Sequence, residues 1–129
     1  MSQAEPIVPD PIHAAIDRHR DAARLWRAAV NIRDASYLDA ANEMDDLERQ
    51  ARLDAAVANA RLPTIDAGLD LVGTEPTTVE GIMAGLEYAR DLLLDGGHTM
   101  PQAIDWLGLL VGSLADAAAD LLAGQKEQS

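Results

Sequence analysis

The chain contains no cysteine and no phenylalanine, and only two tryptophans and two tyrosines represent the large aromatic residues. The lack of cysteine excludes disulfides, thiolate metal sites and a cysteine nucleophile. Basic residues are scarce in the second half, where residues 63–129 hold 11 acids against Arg90 and Lys126, a net charge of −9. Because phosphate contacts need lysine and arginine, the total net charge of −12 argues against nucleic acid as a partner.

Signals for β-strands, secretion and membrane insertion are also lacking. No run of β-branched or aromatic residues alternates with polar ones, so no strand is expected. The longest uncharged stretch near the end, residues 106–115, has about half of the ~20 residues that a membrane span needs. The first residues lack the charged lead and apolar core of a secretion signal. We therefore expect a cytoplasmic protein that makes no contact with membrane.

Residues that typically begin and end helices are the clearest positive signal in the sequence. Asp10 is expected to cap a first helix over about 11–34, with Pro11 in its first turn. Ser36 is expected to open a second helix over about 36–72 that is kinked at Pro63, because proline removes a backbone donor. Two further helices are predicted over about 78–95 and 100–123, each opened by a threonine box in which side chains satisfy exposed N–H groups. The boxes are Thr77 with Glu80 and Thr99 with Gln102, and the last helix is expected to end at Gly124.

Apolar residues recur at spacings of three and four along the first two predicted helices, which is typical of helices that pack along one face. The first seam contains Ile12, Ile16, His19, Ala23, Trp26 and Val30. The second contains Tyr37, Ala41, Met44, Ala51, Ala55, Ala58 and Leu62, and keeps its period at Ile65, Leu69 and Val72. The short junctions predict antiparallel hairpins that form a four-helix bundle, with one domain over 10–124 and flexible tails at 1–9 and 125–129.

One polar pair is predicted at the first seam. If the first hairpin turns near residue 35, His19 lies opposite Ala51 and within about one turn of Glu48. The carboxylate would favour the cationic form of His19 and burial would oppose it. A histidine at the edge of the seam with its tip in solvent is the alternative.

The last two predicted helices carry more apolar surface than a single packed face needs. Beyond the main faces lies a second set of aromatic, leucine and glycine positions of the kind that anchors protein interfaces. Glycines four residues apart also allow close contact between helices. We expect a homo-oligomeric interface at Tyr88, Leu92, Trp106 and Leu109, with Gly81 and Gly85 as further candidates. The alternatives are a monomer with scattered apolar residues on its surface and, for the glycines, tight packing in the core.

The segment Glu75-Pro76-Thr77-Thr78-Val79-Glu80-Gly81 is followed by a leucine-rich helix, a glycine break and a last helix containing Trp and Leu. This pattern, over roughly residues 70–122, resembles the Pro-Thr-Thr-x-x-Gly helix start of short uncharacterised bacterial helical proteins. The resemblance implies a helical fold and no assigned activity.

No residue cluster in the sequence defines a reaction. Asp10, His13 and Asp17 share one helix face, but no second helix offers the matching carboxylates and histidines of a metal centre in a helical bundle. Asp95 and His98 flank a glycine pair without fixed geometry. We therefore expect no enzyme activity, no cofactor and no metal.

Two functions stay open from the sequence. One is a non-enzymatic module that binds another protein or itself. The alternative, favoured by the acidic second half, is an inhibitor or nucleic-acid mimic that binds a basic protein.

Overall fold

The computed structural model describes residues 9–39, 45–94 and 103–128. They form four α-helices: α1 (Pro11–Asp39), α2 (Asp45–Gly73), α3 (Val79–Leu94) and α4 (Ala103–Gln128). No strand occurs within those three ranges. The prediction of an all-α fold with four helices is confirmed.

The helices form a ring in the order α1, α3, α4, α2. Helix α1 packs on α2 and α3, and α4 packs on α3 and α2, whereas the diagonal pairs make no backbone contact within the described ranges. The core inside the ring is built from aliphatic and aromatic side chains of all four helices. Its buried members are Ile12, Ala15, Ile16, Leu71, Tyr88, Ala89, Leu92, Trp106, Leu107, Leu110 and Leu114.

Hydrogen-bonded pairs fix the helix directions. Residue numbers in the α1 and α3 pairs differ by nearly the same amount, 68 for Asp10 with Thr78 and 69 for His19 with Tyr88, so these helices run parallel. In the α1 and α2 hairpin the residue numbers run in opposite directions, as expected for antiparallel helices. The contacts there are Thr64 with Ala22 and Arg18 with Asp70. The contacts of α4 with α2, which are Trp106 with Gly68 and Ser113 with Val72, are again parallel.

The first two helices differ from the prediction at their junction. Helix α1 continues five residues beyond Asp34, and Ser36 is a buried residue inside α1 instead of a cap. Helix α2 begins at Asp45 instead of residue 36. Residues 12–62 contain neither glycine nor proline, so nothing in the sequence forces a helix to stop at 34. The structure describes α1 to Asp39 and α2 from Asp45, and residues 40–44 between them lie outside the described residues.

Helix α2 continues through Pro63 without a break. The hydroxyl of Thr64 bonds the carbonyl oxygen of Ala60 at 3.1 Å and that of Ala22 in α1 at 3.2 Å. Thr64 is almost completely buried, with 1% of its surface exposed. The Thr64 hydroxyl thus supplies a hydrogen-bond donor next to Pro63, which has no backbone N–H, and it also links α2 to α1.

The boundaries of α3 and α4 also differ from the prediction. Thr78, and not Thr77, caps α3, because its hydroxyl accepts a hydrogen bond from the N–H of Gly81 at 2.9 Å. The predicted box of Thr77 with Glu80 is therefore wrong. Helix α4 passes Gly124 and continues to Gln128, so the predicted tail at 125–129 is helical over 125–128. The predicted box of Thr99 with Gln102 and the predicted tail over residues 1–8 lie outside the described residues.

The first hairpin extends beyond the second. Helices α1 and α2 each have 29 residues, whereas α3 has 16. With the parallel offset of 68 to 69 residues, the end of α3 at Leu94 lies level with about residue 26 of α1. Within the described residues, the later part of α1 and the early part of α2 therefore pack mainly on each other as a two-helix arm.

Gly108 and Gly112 do not contribute to close helix packing. Both are exposed within α4, and a Cβ atom added at either position would meet no atom within 4 Å. Alanine restricts the unfolded chain and favours helix relative to glycine by up to about 1 kcal/mol per residue. We expect G108A and G112A each to raise the free energy of unfolding by about 0.5 to 1 kcal/mol. Urea titration followed by circular dichroism measures this, and a loss of stability would contradict the exposed placement.

Candidate functional site

Asp10 joins the starts of α1 and α3. One carboxylate oxygen accepts a hydrogen bond from the N–H of Ile12 at 3.1 Å, which confirms Asp10 as the cap of α1. The other accepts hydrogen bonds from the N–H of Thr77 and of Thr78, each at 3.0 Å, and from the Thr78 hydroxyl at 2.7 Å. Burial by itself raises the pKa of Asp10, but these hydrogen bonds outweigh it and hold the pKa below the usual 3.8.

Gly81 makes room for this carboxylate. A Cβ atom at position 81 would lie 2.0 Å from Oδ2 of Asp10 and 2.9 Å from Cγ2 of Ile12. Gly85, one turn further along α3, faces Leu114 of α4, whose Cδ2 would lie 2.6 Å from an added Cβ. Both glycines therefore serve close packing within one chain, and their predicted place in an interface between chains is not supported by this geometry.

His19 lies at the centre of the ring and has no exposed surface. Its Nδ1 shares a hydrogen bond with the hydroxyl of Tyr88, and its ring stacks on Trp106 with centroids 4.8 Å apart and planes 12° apart. The Trp106 indole N–H donates to the carbonyl oxygen of Gly68 at 2.7 Å. Side chains from α1, α3 and α4 are thereby linked to the backbone of α2.

Burial controls the protonation of this cluster. It lowers the pKa of His19 to about 4 and raises the pKa of Tyr88 to about 12, the latter partly opposed by Arg20. The Arg20 guanidinium lies over the Tyr88 ring, 5.2 Å from its centroid. Nε2 of His19 is buried and has no hydrogen-bond partner among the described residues. At neutral pH the cluster holds a neutral imidazole and a neutral phenol, which orient the helices through stacking and hydrogen bonding.

The predicted pairing of His19 with Glu48 is wrong. A Cβ atom on Gly68 would lie 3.5 Å from Cδ2 of His19, so His19 faces this part of α2. Gly68 is 20 residues after Glu48, a distance of about 30 Å along a helix. The error comes from the predicted turn at residue 35: Ala22 contacts Thr64 and Arg18 contacts Asp70, so the partners of α1 lie further towards the end of α2 than that turn implies.

The predicted interface residues on α3 and α4 are mostly core residues. Tyr88, Leu92 and Trp106 are buried, with 5%, 7% and 7% of their surfaces exposed, and only Leu109 is open, at 59%. The sequence pattern placed two apolar faces on α3, and the face taken for the surface is the one that meets α1 and α4. The apolar residues left exposed on α3 are Val79, Met83, Leu86, Leu93 and Leu94.

Helix α2 has its predicted seam on the outside. The face that meets α1 instead contains Leu53, Val57, Ala60, Thr64, Ala67 and Leu71, all buried or half-buried. Of the predicted positions, Val72 is half-buried and packs against the core, whereas the others that are described point away from α1 and remain exposed, apart from the half-buried Ile65. Together with the exposed Leu47, one turn earlier, they form an uncharged row that we name the outer seam; it comprises Leu47, Ala51, Ala55, Ala58, Leu62, Ile65 and Leu69. Of its predicted start, Tyr37 lies in α1 instead of α2, and Ala41 and Met44 lie outside the described residues.

An open groove of about 520 Å³ runs between α1 and α3 beside Tyr88. Arginines of α1 and the last residues of α3 line it, and Arg24 pairs with Asp21 at 3.5 Å. The lining is therefore mixed in charge. It includes Arg20, Arg24, Arg27, Asp91 and Leu94.

Metal-binding groups of three or more histidine, aspartate or glutamate side chains are not found within residues 9–39, 45–94 and 103–128. Asp10, which shares a predicted helix face with His13 and Asp17, instead accepts four hydrogen bonds at the starts of α1 and α3. The predicted loop pair of Asp95 and His98 lies outside the described residues.

Residues Trp106 to Gly124 of α4 are long and apolar enough, by length and composition alone, to cross a membrane. Within the described residues, 22% of this window is buried, and α4 contributes Trp106, Leu110 and Leu114 to the core.

A search against protein families, curated proteins and solved structures finds no match to this chain. The fold and its contacts define the class of protein as an all-α, four-helix protein with a buried polar centre and an exposed apolar row on α2.

Proposed function

We propose that this protein is a non-enzymatic interaction module that self-associates through the outer seam of α2. The observation that carries the proposal is the exposure of an uncharged apolar row with heptad-like spacing. From Ala51 to Leu69 the row has spacings of 4, 3, 4, 3 and 4 residues, the pattern with which one helix packs on another. Leu62 and Leu69 are 63% and 60% exposed, so the part of the chain that the structure describes leaves most of their apolar surfaces uncovered.

The outer seam is favoured over the other exposed apolar row by charge. Two chains of net charge −12 repel each other, so a contact between copies is favoured where the apolar row that packs carries no charged position. The row on α3 through Val79, Leu86 and Leu93 is interrupted by Arg90, which pairs with Asp91 at 3.5 Å. The outer seam carries no charge over its seven positions.

The test is L62E, which places a carboxylate in the middle of the outer seam. Each substitution occurs twice in a two-fold contact. We therefore expect the dissociation constant of the dimer to rise at least about 100-fold, which corresponds to about 3 kcal/mol. Sedimentation velocity over a concentration series measures the change. Circular dichroism should show an unchanged helix content, because Leu62 is largely exposed.

Two matched controls use equally exposed leucines elsewhere. L93E on α3 and L109E on α4 alter residues that are 62% and 59% exposed, and both should leave self-association unchanged. If L109E or L93E abolished association while L62E did not, the contact would lie on the second hairpin and the proposal for α2 would fail.

The second candidate is an acidic mimic that binds a basic protein. Exposed carboxylates on α3 and α4 favour it, and they include Glu80, Glu87, Asp91, Asp116 and Asp120. Salt separates the two functions, because screening weakens attraction to a basic partner but relieves repulsion between two acidic copies. Self-association that strengthens from 50 to 500 mM NaCl, a range chosen to span roughly 14 to 4 Å of Debye length, supports the first function.

A further inference from the structure

Three polar residues follow the outer seam at intervals of seven. Arg52, Asn59 and Asp66 are all exposed and lie along one edge of the seam. Because seven residues make nearly two full turns of a helix, each lies above the last on the same face. Arg52 and Asp66 are about 21 Å apart at 1.5 Å per residue, too far to pair within one helix.

The order of these residues brings opposite charges of two copies level with each other only if the two α2 helices run antiparallel. If a second copy of α2 runs antiparallel and the two-fold axis passes near Asn59, Arg52 lies level with Asp66 of the partner subunit. The same contact occurs twice, as a two-fold interface requires. In a parallel pair each residue lies level with its own copy, so arginine faces arginine and aspartate faces aspartate.

Side-chain size along the seam favours the same direction. Between Ala51 and Leu69 the first half contains only alanines, and the second half contains Leu62 and Ile65 as well as Leu69. Antiparallel pairing places the small half of each copy against the large half of the other, so the gap between helices stays even. Parallel pairing places large against large at one end and leaves a gap between alanines at the other.

We propose that a second copy of this chain docks antiparallel on the outer seam, with its two-fold axis near Asn59 and with Arg52 paired to Asp66 of the partner subunit. This inference rests on the proposed function, to which it adds the direction and register of the contact. The two-helix arms of both copies then form one layer of helices between the chains. The α3 and α4 hairpin of each copy lies on one side of that layer.

The test exchanges the charges one at a time and then mixes the variants. R52D alone places aspartate level with Asp66 of the partner subunit, and D66R alone places arginine level with arginine. Each variant by itself should associate about 10-fold or more weakly than the native protein. An equimolar mixture of R52D and D66R should form a heterodimer of about native affinity, because each chain then meets the opposite charge twice.

The double variant R52D/D66R is the control for fold and composition. It has the same formal charge as the native chain and keeps opposite charges level, so its self-association should return to about the native value. Substitutions at these exposed positions are not expected to change helix content, which circular dichroism checks. If each single variant associates like the native protein, or if the mixture stays dissociated, the antiparallel register is overturned.

Cross-linking measures the register without relying on charge. The chain has no cysteine, so R52C and D66C each introduce one reactive site. A short bifunctional maleimide should link R52C to D66C in a mixture but should not link R52C to itself. Self-linking of R52C would overturn the antiparallel arrangement. If the native protein is itself monomeric and L62E behaves in the same way, the proposed function is rejected.

Discussion

Replacing Gly81 by alanine is expected to lower the free energy of unfolding by about 3 kcal/mol, the range of overpacking in a tight contact. The new Cβ would lie 2.0 Å from Oδ2 of Asp10, so the carboxylate must move away. This movement breaks the hydrogen bonds that Asp10 accepts from Thr77 and Thr78. Urea unfolding of G81A against the native protein measures the loss, which exceeds the roughly 1 kcal/mol that alanine gains as a better helix former.

A double-mutant cycle isolates the cause. D10A by itself should cost about 2 to 3 kcal/mol, because it removes a helix cap and charged hydrogen bonds. In the D10A background, G81A should cost less than about 1 kcal/mol, since the carboxylate it displaces is gone and only the approach to Ile12 remains. G108A is the matched control, a glycine to alanine change in open space. Additive losses from D10A and G81A would show that Asp10 and Gly81 are not coupled.

Acidification from pH 7 to pH 5 is expected to lower the free energy of unfolding by about 2 kcal/mol through His19. The pKa of His19 is about 4 in the folded protein against the usual 6.5, so the unfolded chain binds the proton first. The stabilisation is therefore complete above pH 6.5 and is lost as the pH falls from 6.5 towards 4. Asp10 contributes in a lower window, because its folded pKa lies below 3.8.

The variant H19F/Y88F tests this assignment. It removes both partners of the buried hydrogen bond and keeps an aromatic ring beside Trp106, so stability at pH 7 should change little. Its stability should lose the part of the pH dependence that His19 supplies between pH 7 and 5. The other histidines, His13 and His98, are common to both proteins. An equal slope in native protein and variant would contradict the account of His19.

H19A is the contrasting substitution. It leaves the Tyr88 hydroxyl buried without its partner and opens a cavity beside Trp106, so we expect a loss of about 3 kcal/mol at pH 7. Comparing H19A with H19F/Y88F separates the cost of an unpaired polar group from the pH dependence.

The sequence predicted the fold class because helix signals are local. Asp10 before Pro11 marks the start of α1, and the period of Ile12, Ile16 and His19 marks its buried face. These features depend on residues within a few turns of each other. The fold class and the cap at Asp10 therefore follow from the sequence alone.

The partners across the bundle could not be predicted because they depend on the junction. Without glycine or proline between residues 12 and 62, the sequence does not mark where α1 ends, and a shift of the turn changes every contact of α2. The pairing of His19 with Glu48 failed for this reason. Both Leu92 and Leu93 are apolar and lie on neighbouring faces of α3, so periodicity could not decide which one is buried.

The buried cluster of His19, Tyr88 and Trp106 was harder to predict from the sequence. Tyr88 and Trp106 stand out as large aromatics in a chain with few of them, but their positions off the main apolar faces predicted an exposed interface. Gly68 gave a hint, because a glycine inside a helix often marks a close approach, and here it faces Trp106 Nε1. That contact is recognisable only once α2 and α4 are known to run parallel.

The mass of the native protein in solution tests the central claim most directly. Sedimentation equilibrium from low to high micromolar concentration should show the mass rising from the 13.8 kDa of one chain towards twice that value. L62E should remain at the mass of one chain over the same range. A native protein that keeps a mass of 13.8 kDa at every concentration would contradict self-association through the outer seam.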